Sequence, residues 1–155
     1  RAMESGTLHR NFMGYTSSNT HLMIGLGASS ISDSWYGFAQ NVKNVEEYQN
    51  LVENDIIPLY RGHILTEEDQ IIRRHILNLM CRFKTSWSDF KLYIPEMDSI
   101  LKRLREMEQD GIVEITKGSL LITEKGRPFV RNVCMAFDLP LQKKSPDTKL
   151  FSMTV

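Results

Sequence analysis

Thr66 is followed at the third position by Asp69, and Ile72, Ile76, Leu79 and Phe83 then recur at offsets of 0, 4, 7 and 11. That spacing places four apolar side chains on one helical face behind an N-cap, so an amphipathic helix beginning at Thr66 is expected. The next 54 residues fix what it can pack against. A second helix is expected from about Pro95 to Asp110, with Met97, Ile100, Leu101, Leu104 and Met107 apolar and Gly111 as its C-terminal stop. A hairpin follows, with 112–116 and 119–123 flanking the two-residue loop Lys117-Gly118. A last helix is expected over Glu124–Phe137, with Val130, Val133, Cys134 and Phe137 as its stripe, Pro128 in its first turn and Pro140 ending it.

Helix, turn, helix, hairpin, helix is the order of a winged-helix domain, expected here over 66–140, with an extended tail over 141–155. Such a domain often reads DNA with its second helix, which then needs a basic face to neutralise phosphates. From Glu96 to Asp110 three cations (Lys102, Arg103, Arg105) face five anions (Glu96, Asp98, Glu106, Glu108, Asp110). The wing tip adds only Lys117, and Arg73, Arg74, Lys125, Arg127 and Arg131 are spread over two other helices. The charge pattern argues against a DNA-binding regulator, and no nucleic-acid partner is expected.

Upstream of residue 65 the chain is richer in glycine and small polar residues. Leu22–Gly27 is a short apolar run ending in glycines, followed by Ala28-Ser29-Ser30-Ile31-Ser32. An apolar strand running into small residues suits a close approach to the backbone, although Gly-x-Gly without a third glycine is no dinucleotide fingerprint. A short helix is expected over 44–54, capped by Asn44 with Glu47 three residues on, and with Val45, Tyr48 and Val52 on one face. Pro58 closes it, and 59–65 reads as an extended connector.

Composition removes several function classes. Lys+Arg and Asp+Glu are equal at 19 each, so no anionic membrane is called for as a partner. No apolar run approaches the roughly 18 residues of a membrane span, and a cytoplasmic setting is the default expectation. Cys81 and Cys134 lie 53 positions apart, without a Cys-x-x-Cys or a cluster-binding triplet, and are expected as buried free thiols. His9, His21, His63 and His75 show no zinc-like spacing. No resident metal is expected.

A set of ordered motifs carries a resemblance. It comprises Leu8-His9-Arg10-Asn11-Phe12, Gly14-Tyr15-Thr16, Gly25 through Ser32, Tyr36 through Asn41, Arg61 through Thr66, Thr123 through Arg127, and Arg131 through Asp138. From Leu8 to Phe151-Ser152 the chain resembles the C-terminal third of the oxygen-independent coproporphyrinogen III oxidases. The resemblance implies a radical S-adenosylmethionine (SAM) enzyme of haem biosynthesis. Such an enzyme oxidatively decarboxylates two propionates of coproporphyrinogen III to vinyls, giving protoporphyrinogen IX, with a [4Fe–4S] cluster and two SAM molecules. Relatives in this family also include haem-binding chaperones.

On that resemblance the fold class is α+β, mainly α with a small β-hairpin. A winged-helix-like C-terminal domain would follow a remnant of a partial (β/α) barrel, which occupies 1–65 as the barrel's C-terminal edge plus the connector helix. The cluster motif Cys-x-x-x-Cys-x-x-Cys is absent from these 155 residues. SAM and the cluster are therefore expected in the intact parent, none bound to this chain alone, and the chain alone inactive. Ile31 matches a family residue that contacts the second SAM. Met13 stands where the family often carries Gln, keeping bulk and losing an amide. Arg10 is a candidate for a substrate carboxylate, because the substrate carries four and Arg binds carboxylates bidentately. The chain reads as starting inside a longer protein. On that reading Leu22–Gly27 is an unpartnered barrel edge, and residues 8–40 are expected to be poorly ordered, rearranged or paired with a second copy. The expected partners are coproporphyrinogen III and the N-terminal barrel.

Overall fold

The computed structural model describes residues 2–3, 5–18 and 20–139. Pro140 and the expected tail over 141–155, with Phe151-Ser152, lie outside the described residues.

Helix α2 (Glu67–Arg82) begins where the Thr66 pattern puts it. Thr66 Oγ1 accepts from the Asp69 amide at 3.1 Å while Asp69 Oδ2 accepts from the Thr66 amide at 2.9 Å, closing a capping box. The helix ends on Phe83, whose φ of 56° is left-handed, and the chain turns directly into strand β7 (Lys84–Ser86). Beyond it come helices α3 (Met97–Arg103) and α4 (Arg105–Gln109), then strands β8 (Val113–Ile115) and β9 (Ser119–Ile122). The hairpin closes over Lys117-Gly118 as expected, and β7 joins it to make an antiparallel sheet in the order β7-β9-β8.

Two expected helices differ in detail. The helix over 95–110 is interrupted at Leu104, whose amide donates to the Leu101 carbonyl at 3.1 Å and tightens one turn. Leu104 is fully buried, so the break sits on the core face. The helix over 124–137 starts as a turn and a 3₁₀ segment (Arg127–Phe129) containing Pro128, and only Val130–Met135, α5, is α-helical. Pro128 supplies no amide, which suits this first turn.

The core lies between α2, α3, α5 and this sheet, with Leu79, Met97, Ile100, Leu104, Leu120, Val133 and Phe137 fully enclosed. His75 is buried among them. Its Nε2 lies 2.8 Å from the Leu92 carbonyl and its Nδ1 2.7 Å from Thr85 Oγ1. A carbonyl can only accept, so Nε2 carries the proton, and Nδ1 accepts from the Thr85 hydroxyl.

The first 65 residues depart further from expectation. Strands β1 (His9–Asn11) and β2 (Gly14–Thr16) form a hairpin. Strands β3 (Leu22–Met23), β4 (Ile31–Ser34), β5 (Gly37–Asn41) and β6 (Leu59–Ile64) form a second sheet in chain order, with helix α1 (Val45–Glu53) between β5 and β6. Every pairing is antiparallel. Strands of a (β/α) barrel run parallel, whereas the pairings within the described part of 1–65, the expected barrel remnant, are all antiparallel. Nor are the described residues mainly α with one hairpin: helices and three sheets share them, which is an α+β fold. Within 8–40, strands β1 to β5 pair with one another or with β6 inside the chain. Only Leu22–Met23 of the run to Gly27 enters the ladder, and it takes the sheet's edge.

The two halves meet closely. Leu8 packs against the helical core, Tyr15 donates to the Met80 carbonyl at 3.4 Å, and the Leu65 amide donates to the Tyr36 carbonyl at 2.9 Å. The opposite side is bare. Helix α1 buries no residue, β6 is exposed along its length, and Leu26 and Ile64 are 82% and 85% exposed.

Candidate functional site

The register of the four-stranded sheet builds one surface. Ile31 on β4 stands opposite Gln40 on β5, and Gln40 stands opposite Arg61 on β6. Two positions along, Phe38 stands opposite His63. Side chains two apart share a face, so Ile31, Gln40, Phe38, Arg61 and His63 look the same way. Phe12, next to the β1–β2 turn, closes the end of this face with its ring edge-on to Phe38 at 5.1 Å. Together they line an open cavity of about 300 Å³. Its wall is apolar and its rim polar, the usual make-up of a ligand site.

The rim is organised by hydrogen bonds. Gln40 Nε2 donates to the Ser29 carbonyl at 3.2 Å, and Gln40 Oε1 accepts from Arg61 Nε at 2.9 Å. His63 faces the Asp69 carboxylate at 3.8 Å. At the back, a side chain on Gly25 would stand 2.8 Å from the Ile31 carbonyl oxygen. The close approach to the backbone at this glycine run is therefore made by the main chain of β4.

The three residues singled out from sequence do not converge. Ile31 lines the cavity. Met13, at the tip of the β1–β2 turn, is 85% exposed and does not line it; its amide donates to Asn11 Oδ1 at 2.9 Å. Arg10 points the other way, its guanidinium 5.7 Å from the Tyr15 ring centre and close enough to Cys81 and Cys134 to favour their thiolates. That effect is overwhelmed by burial, which pushes the Cys81 thiol up and the Cys134 thiol up to about 12. Phe12, Phe38, Gln40, Arg61 and His63 carry no local sequence signal of a role. All five lie inside or beside the motif strings, but only strand register brings them together.

A second recess, of about 20 Å³, lies between His9, Asn11, His21, Asp33 and Arg73 and is large enough for a water molecule. No group of three or more His, Cys, Asp or Glu side chains among the described residues is placed to hold a metal ion. Cys81 and Cys134 are free thiols in the core. This donor set does not fit a [4Fe–4S] cluster, which takes cysteine thiolates in numbers these residues do not supply.

Residues 65–129 match the family described as HemN C-terminal domain. The chain is 34% identical over 149 residues to the oxygen-independent coproporphyrinogen III oxidase of Escherichia coli K12, covering 93% of this chain and 33% of the relative. Against the enzyme of the same name from Synechocystis it is 33% identical over 166 residues, covering 99% of this chain and 35% of the relative. A solved structure, described as coproporphyrinogen III oxidase (HemN) from Escherichia coli, a radical SAM enzyme, superposes with a TM-score of 0.82 at 36% identity, over 90% of this chain and 33% of that one. The chain thus spans about a third of the length of these relatives. In sequence and in fold it belongs to the oxygen-independent coproporphyrinogen III oxidase family and corresponds to that family's C-terminal portion.

Proposed function

We propose that this chain serves as the C-terminal part of an oxygen-independent coproporphyrinogen III oxidase, which turns two propionates of coproporphyrinogen III into vinyls to give protoporphyrinogen IX. The observation that carries this reading is the superposition on the Escherichia coli enzyme over 90% of the chain at 36% identity. SAM bound to such an enzyme would supply the radical chemistry at the propionate side chains. Because the donor set here does not fit the cluster, no step of that chemistry is assigned to these residues. Their contribution is the cavity wall of Ile31, Phe12 and Phe38, whose apolar surface suits the second SAM or the substrate's edge. Taken alone, the 155 residues are expected to show no turnover.

The order α2, β7, α3–α4, β8, β9 supports a winged-helix reading for the helical half. Its second helix gives no basic face for DNA. Arg103, one of its three cations, donates to the Ala136 carbonyl at 3.1 Å and so is held inside the fold. The domain's role is to brace and cover the active-site opening. The bare face of α1, β6 and Leu26 supports packing against the remainder of a longer protein, the barrel in this family.

Anaerobic conversion of coproporphyrinogen III by the full-length protein with SAM and a reductant tests the reading. Removing 66–155 should abolish product while leaving the cluster's visible absorption largely intact. An unchanged rate would remove the covering role, and no conversion by the intact protein would remove the assignment itself.

A further inference from the structure

We propose that Arg61 is the carboxylate-binding residue of the β4–β5–β6 face, with Gln40 as its positioning residue, and that the ligand it takes carries a carboxylate beside an apolar or aromatic body. The inference rests on the reading above, in which this face borders the ligand site.

Three observations carry it. First, the guanidinium is oriented by a relay: the Ser29 carbonyl holds Gln40 Nε2 at 3.2 Å, and Gln40 Oε1 holds Arg61 Nε at 2.9 Å. Anchoring Nε leaves the two terminal nitrogens as a planar fork, the geometry that meets a carboxylate with two parallel hydrogen bonds. Second, that charge meets an aromatic ring and no carboxylate: the guanidinium carbon lies 5.9 Å from the Tyr60 ring centre. Among the described residues no carboxylate lies within ion-pair distance of Arg61. Of the other ionisable groups on this face, His63 Nε2 stands 3.8 Å from the Asp69 carboxylate, and Asp33 is paired with Arg73 at 2.7 Å. Third, the fork stands in register with Ile31 across Gln40, at the rim of a cavity walled by Phe12, Ile31 and Phe38. Arg61 is the one Arg or Lys lining that cavity among the described residues. One planar fork without a second cation or a helix N-terminus suits a single carboxylate better than a phosphate group.

Two ligands of the proposed enzyme share this chemistry: the propionate of a tetrapyrrole and the amino-acid carboxylate of SAM. Equilibrium binding to the full-length protein separates them. The probes are coproporphyrin III against its tetramethyl ester, and SAM against decarboxylated SAM. Arg61→Gln should weaken one acid about tenfold, the loss of a charge-assisted hydrogen bond, and leave its carboxylate-free analogue unchanged. Whichever acid responds names the ligand. Gln40→Leu should give a smaller loss with the same selectivity, and Arg61→Lys should keep part of the affinity. Equal affinity of Arg61→Gln and the unaltered protein for both acids overturns the inference. So does an equal loss for an acid and its neutral analogue, which would mark a structural effect. If the unaltered protein binds neither acid, the reading on which the inference rests fails with it.

Discussion

Arg73 Nη2 stands 2.7 Å from Asp33 Oδ1, joining helix α2 to strand β4. The same guanidinium donates through Nη1 to the Ser34 carbonyl at 2.7 Å and lies 4.9 Å from the Phe38 ring centre and 5.3 Å from that of Trp35. Phe38 lines the candidate cavity. One side chain of the helical half thus fixes both the backbone and a wall of the site on the sheet.

Arg73→Ala should therefore destabilise the protein strongly. Asp33 is 8% exposed and would be left as a buried charge without its cation, a situation that costs about 3 kcal/mol or more. Urea unfolding of the variant measures it. Removing Asp33 as well, as Asp33→Ala with Arg73→Ala, should recover part of the loss, because the stranded charge goes with it. Strictly additive losses would show that the two side chains act independently.

The helical half was largely legible because its signals are local. Thr66 and Asp69 announce a capping box, Gly111 with φ of 70° stops a helix, and Lys117-Gly118 turns a hairpin. β7 was not legible: Lys84-Thr85-Ser86 is too short to show alternation, and it becomes a strand only because Phe83 reverses the chain beside β9. Likewise Ile31-Ser32-Asp33-Ser34 has weak strand character, and its pairing with β5 decides its state. Ile31 could be singled out by resemblance. Its neighbours Gln40 and Arg61 lie nine and thirty residues away in sequence and meet it only through register, which no local pattern encodes.

His75 makes stability depend on pH. Its imidazole is fully buried, and this burial is the main reason its pKa falls below the usual value of 6.5. The Leu92 carbonyl acts to raise it, and the charge of Arg74 adds to the lowering. The folded state therefore holds a neutral ring where the unfolded chain would take up a proton. Its contribution is fully present above pH 6.5 and declines as pH falls from about 6.5 toward the lower folded value. Unfolding free energies measured between pH 8 and pH 5 should fall with acid, and His75→Gln should flatten that dependence while lowering stability at pH 8. An identical slope in the variant would move the effect to other groups.

Both thiols should be silent in the native protein. Cys81 is 3% and Cys134 8% exposed, and burial drives the Cys134 pKa to about 12. At pH 8.5 roughly one Cys134 in a few thousand would be thiolate, and the thiolate is the reactive form. A colourimetric disulfide reagent should label neither residue within minutes in buffer and both in urea. Fast native labelling of either would show that α2 and α5 part readily.

Gly25→Ala tests whether the back of the cavity depends on close main-chain contact. The added methyl would lie 2.8 Å from the Ile31 carbonyl oxygen and 2.9 Å from the Ile31 nitrogen. Both are backbone atoms and cannot rotate away, so the segment holding Gly25 must lift off β4. Lifting it pulls the Gly25 amide from Ser32 Oγ, now 3.0 Å away, and the Gly25 carbonyl from Asn41 Nδ2, now 3.1 Å away. A cost of about 1–3 kcal/mol is expected, as for other overpacked sites. The change should be local. Amides of Ile31–Ser34 should exchange with solvent faster in Gly25→Ala, while those around Leu79 in α2, at the centre of a separate core, should keep their protection. Unchanged exchange across β4 would show that the glycine run tolerates a side chain and that Ile31 is positioned by β5 alone.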